Sequence, residues 1–365
     1  MMANWMKQSV FIKTFGCAAN TADSERIRAH YWQKGWVEVK NWKEADLVVI
    51  NSCVVRESAE NRVYGLINLI DKYRQEKRVK IEIGVTGCLI GWKARQKNLG
   101  GLRANFPQVK YFWPIEKLTG DLGPIRDKKK AALIPISSGC NNFCSYCIVP
   151  FSRGSEISRP EGEILGEIER AIDDGWKEVV LIGQNVNSYG ADFEDSTWVH
   201  LGKKRLKSHF PKLLAMAAKT GVGKISFVSS NPWDFSDELI EVIAKNDNID
   251  RLIHLPFQAG SDEVLRRMNR GYTKQEYLDL VEKIKKKVVG VRFSTDVIVG
   301  FPGESEEDFE KTVEVCKKVG FEIAYLNKYS PRRGTVSAKL YKDDVPMVEK
   351  KRRWRVLEDL INVNR

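Results

Sequence analysis

The chain has 365 residues, of which 42% are apolar and 10% aromatic, so it can form about two domains with sizeable cores. Its 60 Lys and Arg residues outnumber 48 Asp and Glu residues, and the net charge of +12 favours an anionic partner. No apolar run approaches the roughly 18 residues of a membrane span, and the first ten residues lack the apolar core of a signal peptide. The odd number of cysteines, seven, argues against a disulfide framework. We therefore expect a cytoplasmic protein with reduced thiols and no membrane association.

Strands alternate with helices in the first third of the chain. The pattern predicts apolar strands at residues 9–15, 45–52 and 79–87, separated by helices at about 20–34 and 56–75. Because each crossover returns the chain to the same end, this alternation predicts a parallel sheet. We expect an N-terminal α/β domain over residues 1–122. A linker rich in glycine and charge should follow it at 123–130.

A second series of strands and helices follows the linker. Six predicted strands begin near residues 131, 177, 224, 251, 291 and 321. The series predicts a partial (β/α)6 barrel over residues 131–345, with ligands at the carboxyl ends of its strands. A doubly wound sheet is the alternative. Residues 346–365 are predicted to form a C-terminal helix that places Val348, Trp354, Leu357 and Ile361 on one face.

Three closely spaced cysteines follow the first strand of this second series. Cys140, Cys144 and Cys147 form the run GCNNFCSYC. Three thiolates at this spacing suit three irons of a 4Fe–4S cluster and leave the fourth iron open to chelate a substrate. A zinc site is the alternative, although structural zinc normally takes four protein ligands.

Three further cysteines follow the three predicted strands of the first domain. They are Cys17, Cys53 and Cys88. Because the carboxyl ends of parallel strands lie on one edge of a sheet, this placement predicts a second three-cysteine cluster. Ordinary core cysteines are the alternative. Cys316 stands at helical spacing from Phe309 and Val313, and we expect it to be a buried, inert thiol.

Polar residues and one glycine lie at or near the ends of several strands of the predicted barrel, where a nucleotide-sized ligand would bind. They are Gly183, Gln184, Asn185, Ser229, Ser230, Gln258, Thr295 and Asp296. Turn chemistry is the alternative explanation for such residues. Arg153 and Arg159 follow the cluster motif and are candidates for anchoring anionic substrate groups.

Basic runs are candidates for contacts with RNA. They lie at residues 128–130, 203–207, 285–287 and 350–355, and Trp198, Trp233 and Trp354 are candidates for base stacking. Each run alone is also typical of a solvated surface.

With both cysteine sets in place, the chain resembles the radical S-adenosylmethionine (SAM) methylthiotransferases along essentially its whole length. The matching motifs are TFGCAAN, NSCVVRESAE, TGC, GCNNFCSYCIVPFSRGSEISRP, LIGQNVNSYG, SSNPWDF, HLPFQAGSDEVLRRMNRGYT and TDVIVGFPGESEEDFE. The stretch RGSEISRP is similar to the branch that acts on isopentenyladenosine in tRNA. Three features depart from the family pattern. Ala18 and Ala19 replace a usual Gln-Met pair, Asn231 replaces a usual histidine, and no run of short strands corresponds to the usual C-terminal RNA-binding β-barrel.

The resemblance implies both the cofactors and the reaction. It implies two 4Fe–4S clusters and SAM, with Tyr146 as the aromatic residue before the third cysteine and the polar strand-end residues as the SAM pocket. In the family, one SAM provides a methyl group, and a second is cleaved to the radical that abstracts a hydrogen atom. The implied product is a methylthio group at C2 of N6-isopentenyladenosine next to the anticodon.

The resemblance also implies the partners. We expect a monomer that binds the anticodon stem-loop of tRNA and takes electrons from a flavodoxin or ferredoxin. Methylthiolation of threonylcarbamoyladenosine in tRNA or of a ribosomal protein is the alternative with the same chemistry. A non-catalytic, metal-containing RNA-binding protein is the alternative from another class.

Overall fold

The computed structural model describes residues 7–55, 57–119, 123–127, 131–194 and 208–363. The chain divides into two compact units. The first comprises Met1–Lys129 and Ile148–Gly154, and the second comprises Lys130–Cys147 and Ser155–Arg365. The short segment that follows the cysteine run is therefore part of the first unit, although both of its flanks belong to the second. Sequence periodicity gave no indication that Ile148–Gly154 belongs to the first unit.

The first unit alternates strands and helices. In chain order its elements are β1 (Ser9–Thr14), α1 (Ala18–Gln33), β2 (Val37–Glu38), β3 (Leu47–Ser52), α2 (Glu57–Lys77), β4 (Glu82–Gly87), α3 (Cys88–Arg95), α4 (Leu99–Asn105), β5 (Tyr111–Phe112), α5 (Glu116–Thr119) and, after an excursion into the second unit, α6 (Val149–Arg153). The three predicted strands are confirmed as β1, β3 and β4.

The five strands found among the described residues of the first unit form one parallel sheet in the order β2-β1-β3-β4-β5. The central strand β3 is buried along its whole length, and its sequence is apolar except for Asn51 and Ser52 at the carboxyl end. The edge strands β2 and β5 have two residues each, too short to leave a periodic signal. The parallel sheet confirms the predicted class of this unit.

The second unit continues the alternation. In chain order its elements are β6 (Ala132–Pro135), β7 (Ser137–Ser138), β8 (Ile157–Ser158), α7 (Glu161–Asp173), β9 (Glu178–Ile182), α8 (Phe210–Ala218), β10 (Lys224–Phe227), α9 (Asp237–Lys245), β11 (Leu252–His254), α10 (Asp262–Arg267), α11 (Lys274–Lys287), β12 (Arg292–Val299), α12 (Glu306–Val319), β13 (Ile323–Lys328), α13 (Val336–Leu340) and α14 (Met347–Glu358). Among the described residues, no helix combines the length and apolar character that crossing a bilayer requires.

Six parallel strands of the second unit follow one another in space as they do in sequence. Strands β6, β9 and β10 form one sheet, and β11, β12 and β13 form another. A parallel bridge between Ile225 and Ile249 joins the two sheets. This arrangement confirms the predicted partial (β/α)6 barrel. Between the first two barrel strands, the antiparallel pair β7 and β8 closes the loop that carries the cysteine run.

The C-terminal helix α14 differs from its predicted orientation. Leu357 and Ile361 are buried as expected, but Val348 is 79% exposed. The charged residues Lys350 and Arg353 are buried instead. Apolar periodicity misplaced this face because two long basic side chains reach carboxylates inside the unit.

Candidate metal centres and barrel-edge pocket

The first set of thiols lies at the carboxyl ends of three neighbouring strands. Cys17 lies three residues after β1 and directly before α1, Cys53 directly follows β3, and Cys88 directly follows β4. Because β1, β3 and β4 are adjacent in the sheet, the three residues share one edge. Cys53 and Cys88 are buried, whereas Cys17 is exposed.

Asn20 connects two of these thiols. Its Oδ1 atom is 3.6 Å from Cys17 Sγ, and its Nδ2 atom is 3.9 Å from Cys88 Sγ. The carboxamide is fully buried and also donates to the Asn51 side chain and the Ser52 carbonyl. It therefore links the ends of three strands beneath the thiols. Asn20 ends the motif TFGCAAN but was not among the predicted site residues.

The charge environment of this set is mixed. Burial raises the pKa of the Cys88 thiol to about 11, and the nearby Arg153 guanidinium partly opposes that rise. Cys53 and Cys17 also act on Cys88 electrostatically, so the three thiols are neighbours. Arg153 forms an ion pair of 2.7 Å with Asp23, and both side chains are largely buried. A positive group thus accompanies the three cysteines.

The second set of thiols belongs to the loop between β7 and β8 in the second unit. Cys140 is buried, and Cys144 and Cys147 are partly buried. Burial raises the pKa of the Cys140 thiol, and the charges of Cys147 and Cys144 add to that rise. Tyr146 packs against the core of the unit, and burial raises its pKa as well.

Two residues near the second set were not selected from the sequence. The guanidinium of Arg270 lies 3.4 Å from Cys144 Sγ. Glu156, a residue of the RGSEISRP stretch, is buried near Cys140 and accepts a hydrogen bond from Ser188. Arg270 lies in the motif MNRGYT, where a basic residue next to a glycine gives no signal of its own.

Among the described residues, no three His, Cys, Asp or Glu side chains stand together in the geometry of a bound metal ion. The backbone nevertheless brings each cysteine set to one place, and each set consists of soft sulfur ligands. Three thiolates are the donor set of a 4Fe–4S cluster with one open iron. The residues present therefore fit such a cluster in each unit by donor type and placement.

Several buried polar atoms at the barrel edge lack hydrogen-bond partners among the described residues. They are Ser137 Oγ, Gln184 Oε1, Asn185 Oδ1 and Ser230 Oγ. These residues follow β6, β9 and β10, which are neighbours in the barrel. Because buried polar groups are normally hydrogen-bonded, unsatisfied atoms that share one edge indicate a polar ligand. Three of the four residues belong to the predicted SAM pocket, and Ser137 was not selected.

Two other predicted pocket residues have unusual backbone conformations. Ser229 and Gln258 have φ angles of +68° and +69°, which non-glycine residues rarely adopt. Such conformations concentrate at functional sites, where the surrounding structure imposes them. The backbone N–H of Ser229 donates to His254 Nδ1, and the other ring nitrogen of His254 lies 3.2 Å from Asp296. Asp296 is thus at the same edge as Ser229.

The remaining predicted pocket residues differ in what they offer to a ligand. Gly183 provides space, because a Cβ atom there would lie 2.8 Å from Ser137 Oγ. Thr295 is fully buried, and its hydroxyl already bonds the backbone of Leu255 and Phe257. Its observed contacts therefore hold β12 to the chain that follows β11.

The arginines predicted to anchor substrate have partners inside their own units. Arg153 pairs with Asp23, as described above. Arg159 pairs with buried Glu167 at 2.8 Å and donates to the Pro135 carbonyl. The side chain of Arg159 thus holds α7 to β6.

The predicted RNA contacts are mostly engaged within the second unit or lie outside the described residues. Residues 128–130, 203–207 and Trp198 lie outside the described part of the chain. Trp233 stacks on Arg270, and Trp354 donates to the Leu326 carbonyl. In the run 350–355, Lys350, Arg352 and Arg353 pair with carboxylates of the same unit. These three side chains form a structural ion-pair network, whereas Lys351 and Arg355 are exposed, so an RNA contact by this run stays a prediction.

Cys316 is confirmed as a core residue. It is 2% exposed within the apolar core of the second unit, and burial raises the pKa of its thiol to about 12.

Two family models match this chain. The radical SAM superfamily matches residues 134–316, and the Uncharacterized protein family UPF0004 matches residues 9–108. The chain is 42% identical to the tRNA-2-methylthio-N(6)-dimethylallyladenosine synthase of Thermotoga petrophila, over 96% of this chain and 81% of the relative. It is 40% identical to the enzyme of the same name from Aquifex aeolicus, over 97% of this chain and 83% of that relative. The corresponding Clostridium botulinum enzyme is 37% identical, over 96% and 81%.

The chain belongs to the radical SAM superfamily and, within it, to the methylthiotransferase family of these relatives. It is an enzyme whose family uses SAM, as the resemblance implied, and two 4Fe–4S clusters, as the two cysteine sets predicted.

Solved structures agree with the fold. The radical SAM methyltransferase TsrM of Kitasatospora setae has a TM-score of 0.61 at 13% identity, covering 91% of this chain and 77% of that one. The cobalamin-dependent SAM radical enzyme OxsB has a TM-score of 0.56 at 9% identity, covering 96% and 56%. At these identities the likeness concerns the fold alone.

Proposed function

We propose that this chain inserts a methylthio group at C2 of N6-isopentenyladenosine next to the anticodon of tRNA. The observation that carries the reaction type is the pair of three-cysteine sets. One lies at the carboxyl ends of three parallel strands of the first unit, and the other lies in the loop that follows the first barrel strand of the second unit. The names of the relatives support the substrate, because they state a 2-methylthio product of N6-dimethylallyladenosine, the isopentenyl-modified nucleoside.

Each cysteine set is assigned one cluster. Cys140, Cys144 and Cys147 hold the cluster that binds SAM, and Cys17, Cys53 and Cys88 hold the auxiliary cluster. When bound, these groups and SAM supply the one-electron cleavage of SAM and the sulfur that enters the C–H bond. The protein's part is to present thiolates, whose protons leave on loading. Arg153 favours that loss at Cys88 through its positive charge.

The barrel edge orients SAM. The free carbonyl oxygens of Gln184 and Asn185 are suited to accept hydrogen bonds from an ammonium group or ribose hydroxyls. The Ser137 and Ser230 hydroxyls can donate to a carboxylate. Asp296 lies at the same edge and is suited to a ribose or an ammonium group. The positive φ angles of Ser229 and Gln258 shape the chain around this pocket.

RNA is the substrate class that the charge of the chain favours. A net charge of +12 attracts a polyanion, and an unstacked adenosine in an anticodon loop can enter a pocket that a duplex base cannot reach. Arg153 is the better of the two predicted anchoring arginines, because its charge lies beside the auxiliary thiols. The electron donor, the monomeric state and the cytoplasmic location stay predictions.

The test is incubation of the reconstituted enzyme with SAM, a reductant and synthetic anticodon stem-loops. One stem-loop carries the isopentenyl group, one carries threonylcarbamoyladenosine and one is unmodified. Nucleoside mass spectrometry should find methylthiolation of the isopentenylated RNA only. Cys144→Ala should abolish the product, whereas Cys316→Ser, which removes a thiol from the core, should retain it.

Three outcomes would contradict the proposal. Equal activity on the threonylcarbamoyl stem-loop, or activity only on a ribosomal protein, would assign another branch of the family. A colourless, zinc-containing protein without SAM cleavage would favour the non-catalytic alternative.

A further inference from the structure

The last residue of α10 and the segment that follows it hold the cysteine loop of the second unit. The Ser145 backbone N–H donates to the Met268 carbonyl at 2.9 Å, and the Ser145 hydroxyl donates to the Arg267 carbonyl at 2.7 Å. The Asn269 side chain donates to the Phe143 carbonyl at 3.0 Å. The backbone on both sides of Cys144 is therefore fixed by one short segment, and the next residue of that segment is Arg270.

The guanidinium of Arg270 has an unusual set of partners. Its Nη1 lies 3.4 Å from Cys144 Sγ, and its Nη2 contacts Asn231 Oδ1 at 3.4 Å and the Pro256 carbonyl at 3.1 Å. The rings of Trp233 and Tyr272 lie 5.1 and 5.2 Å from its central carbon. Within the described part of the chain, no carboxylate forms an ion pair with it.

Arg270 is a partly buried cation without a carboxylate partner, so another negative group must offset the cost of removing its charge from water. Other arginines of this unit, such as Arg159 and Arg353, pair directly with Glu167 and Glu304. Removing a guanidinium from water is costly unless a negative group faces it. Of the atoms that contact Arg270, only the sulfur of Cys144 takes on a negative charge when it serves as a metal ligand. The geometry therefore directs the cation at the ligand thiolate.

We propose that Arg270 is a positioning residue that fixes Cys144 and raises the reduction potential of the cluster held by Cys140, Cys144 and Cys147. The proposal rests on the assignment of that cluster under the proposed function. Reduction adds a negative charge to the cluster. A nearby positive charge and an N–H group directed at a ligand sulfur both stabilise the reduced form, so they raise the potential.

Asn231 completes this arrangement. Its side-chain oxygen accepts a hydrogen bond from Nη2 of Arg270. The backbone of Asn231 is held by the Asn187 side chain through hydrogen bonds of 2.7 and 2.8 Å. A neutral amide orients the guanidinium without neutralising its charge. A carboxylate at this position would draw the charge away from Cys144. Position 231 therefore provides a second, nearly isosteric test of the same effect.

The experiment measures the reduction potentials of both clusters by titration monitored with electron paramagnetic resonance. The variants are Arg270→Gln, which removes the charge, and Asn231→Asp, which places a carboxylate against it. Both should shift the potential of the SAM-binding cluster to more negative values. The auxiliary cluster of the same chain is the internal control and should keep its potential. Arg266→Gln removes an exposed charge of α10 and should change neither potential.

The outcomes separate this inference from the cluster assignment. Full iron content with an unchanged potential in either variant would overturn the role of Arg270 and leave the assignment intact. If the Arg270→Gln protein does not bind a cluster, the reduction potential of the Asn231→Asp protein tests the effect of Arg270. Loss of one cluster from both variants would show that Arg270 serves assembly and would overturn the effect on potential. An iron content that does not depend on Cys140, Cys144 and Cys147 would instead refute the assignment itself.

Discussion

Two glycines make room for the asparagines beneath the thiols of the first unit. Gly16 precedes Cys17, and a Cβ atom there would lie 2.1 Å from Asn20 Oδ1. Gly87 precedes Cys88 with a φ angle of +87°, and a Cβ atom there would lie 2.4 Å from Asn51 Oδ1. The Gly-Cys pairs therefore serve the amide network that holds the cysteines.

Gly87→Ala should disturb the auxiliary site. The substitution combines an unfavourable backbone conformation with a clash, and we expect a loss of about 1–3 kcal/mol of unfolding free energy. About half of the iron should also be lost. Gly35→Ala is the matched control, since Gly35 has a φ angle of +79° but no atom within 4 Å of the added Cβ. Urea unfolding and iron analysis measure both effects, and full iron in a stable Gly87→Ala protein would contradict the network.

Glu156 should make stability depend on pH. Burial, followed by the charges of Asp234 and Asp192, raises its pKa to about 7 from 4.5. Because the folded pKa is the higher one, the folded state holds this proton more tightly. The stabilisation is full below about pH 4.5 and is lost as the pH rises through about 7. The pKa shift of Glu156 corresponds to a difference of about 3 kcal/mol in unfolding free energy between the two ends of this pH range.

Glu156→Gln should therefore remove this pH dependence and make the cluster-free protein more stable than the parent at pH 8. Urea unfolding at pH 5 and pH 8 measures the difference. Glu169→Gln, at an exposed carboxyl of α7, serves as the control. Equal pH slopes for the parent and Glu156→Gln would refute the assignment.

At the scale of elements, helix α14 is attached to the loop after β12 by a buried ion pair. Arg353 contacts Glu304 at 2.7 Å, and neither side chain is more than 5% exposed. Glu304 also accepts the backbone N–H of Gly300 at 2.6 Å. Lys350 donates to the Tyr329 carbonyl and packs against Gly300, where a side chain would collide with it. The helix thereby supports the barrel edge after Asp296.

Arg353→Met should cost about 3–5 kcal/mol of unfolding free energy, because it leaves the Glu304 carboxylate buried without its partner. Arg352→Met is the neighbouring control. Its partner Glu306 is half exposed, and the loss should stay below about 1 kcal/mol. Denaturant unfolding compares the two variants. Equal losses would show that the buried pair does not anchor α14.

At the scale of the whole molecule, each unit carries one cysteine set. Replacing Cys140, Cys144 and Cys147 with alanine should leave about half of the iron and abolish SAM cleavage. Replacing Cys17, Cys53 and Cys88 should also halve the iron but spare reductive cleavage of SAM to 5′-deoxyadenosine. Iron analysis and chromatography of the nucleoside product measure both. Complete loss of iron from either triple variant would contradict two independent sites.

The sequence alone was sufficient for the longer strands, their parallel direction and the two cysteine sets, but not for the two-residue strands β2, β5, β7 and β8. These features follow from local patterns. A short run of apolar residues such as the one that begins Leu47–Ser52 forms a buried strand, and a cysteine directly after that strand must lie at the carboxyl edge of the sheet. The strand-end residues Gln184, Asn185 and Ser230 were predictable for the same reason.

Only the tertiary structure decided which charged and amide side chains face those cysteines. Asn20 is joined to Cys88 across 68 residues, and Arg270 to Cys144 across 126. Hydrogen bonds over such separations leave no periodic signal, since the folded chain as a whole determines them. The same reason explains why the buried face of α14 differed from the prediction. Lys350 and Arg353 are buried there because their carboxylate partners lie outside the helix. Local sequence fixes the direction in which a strand or helix runs, whereas the partner of a long polar side chain depends on the packing of distant segments.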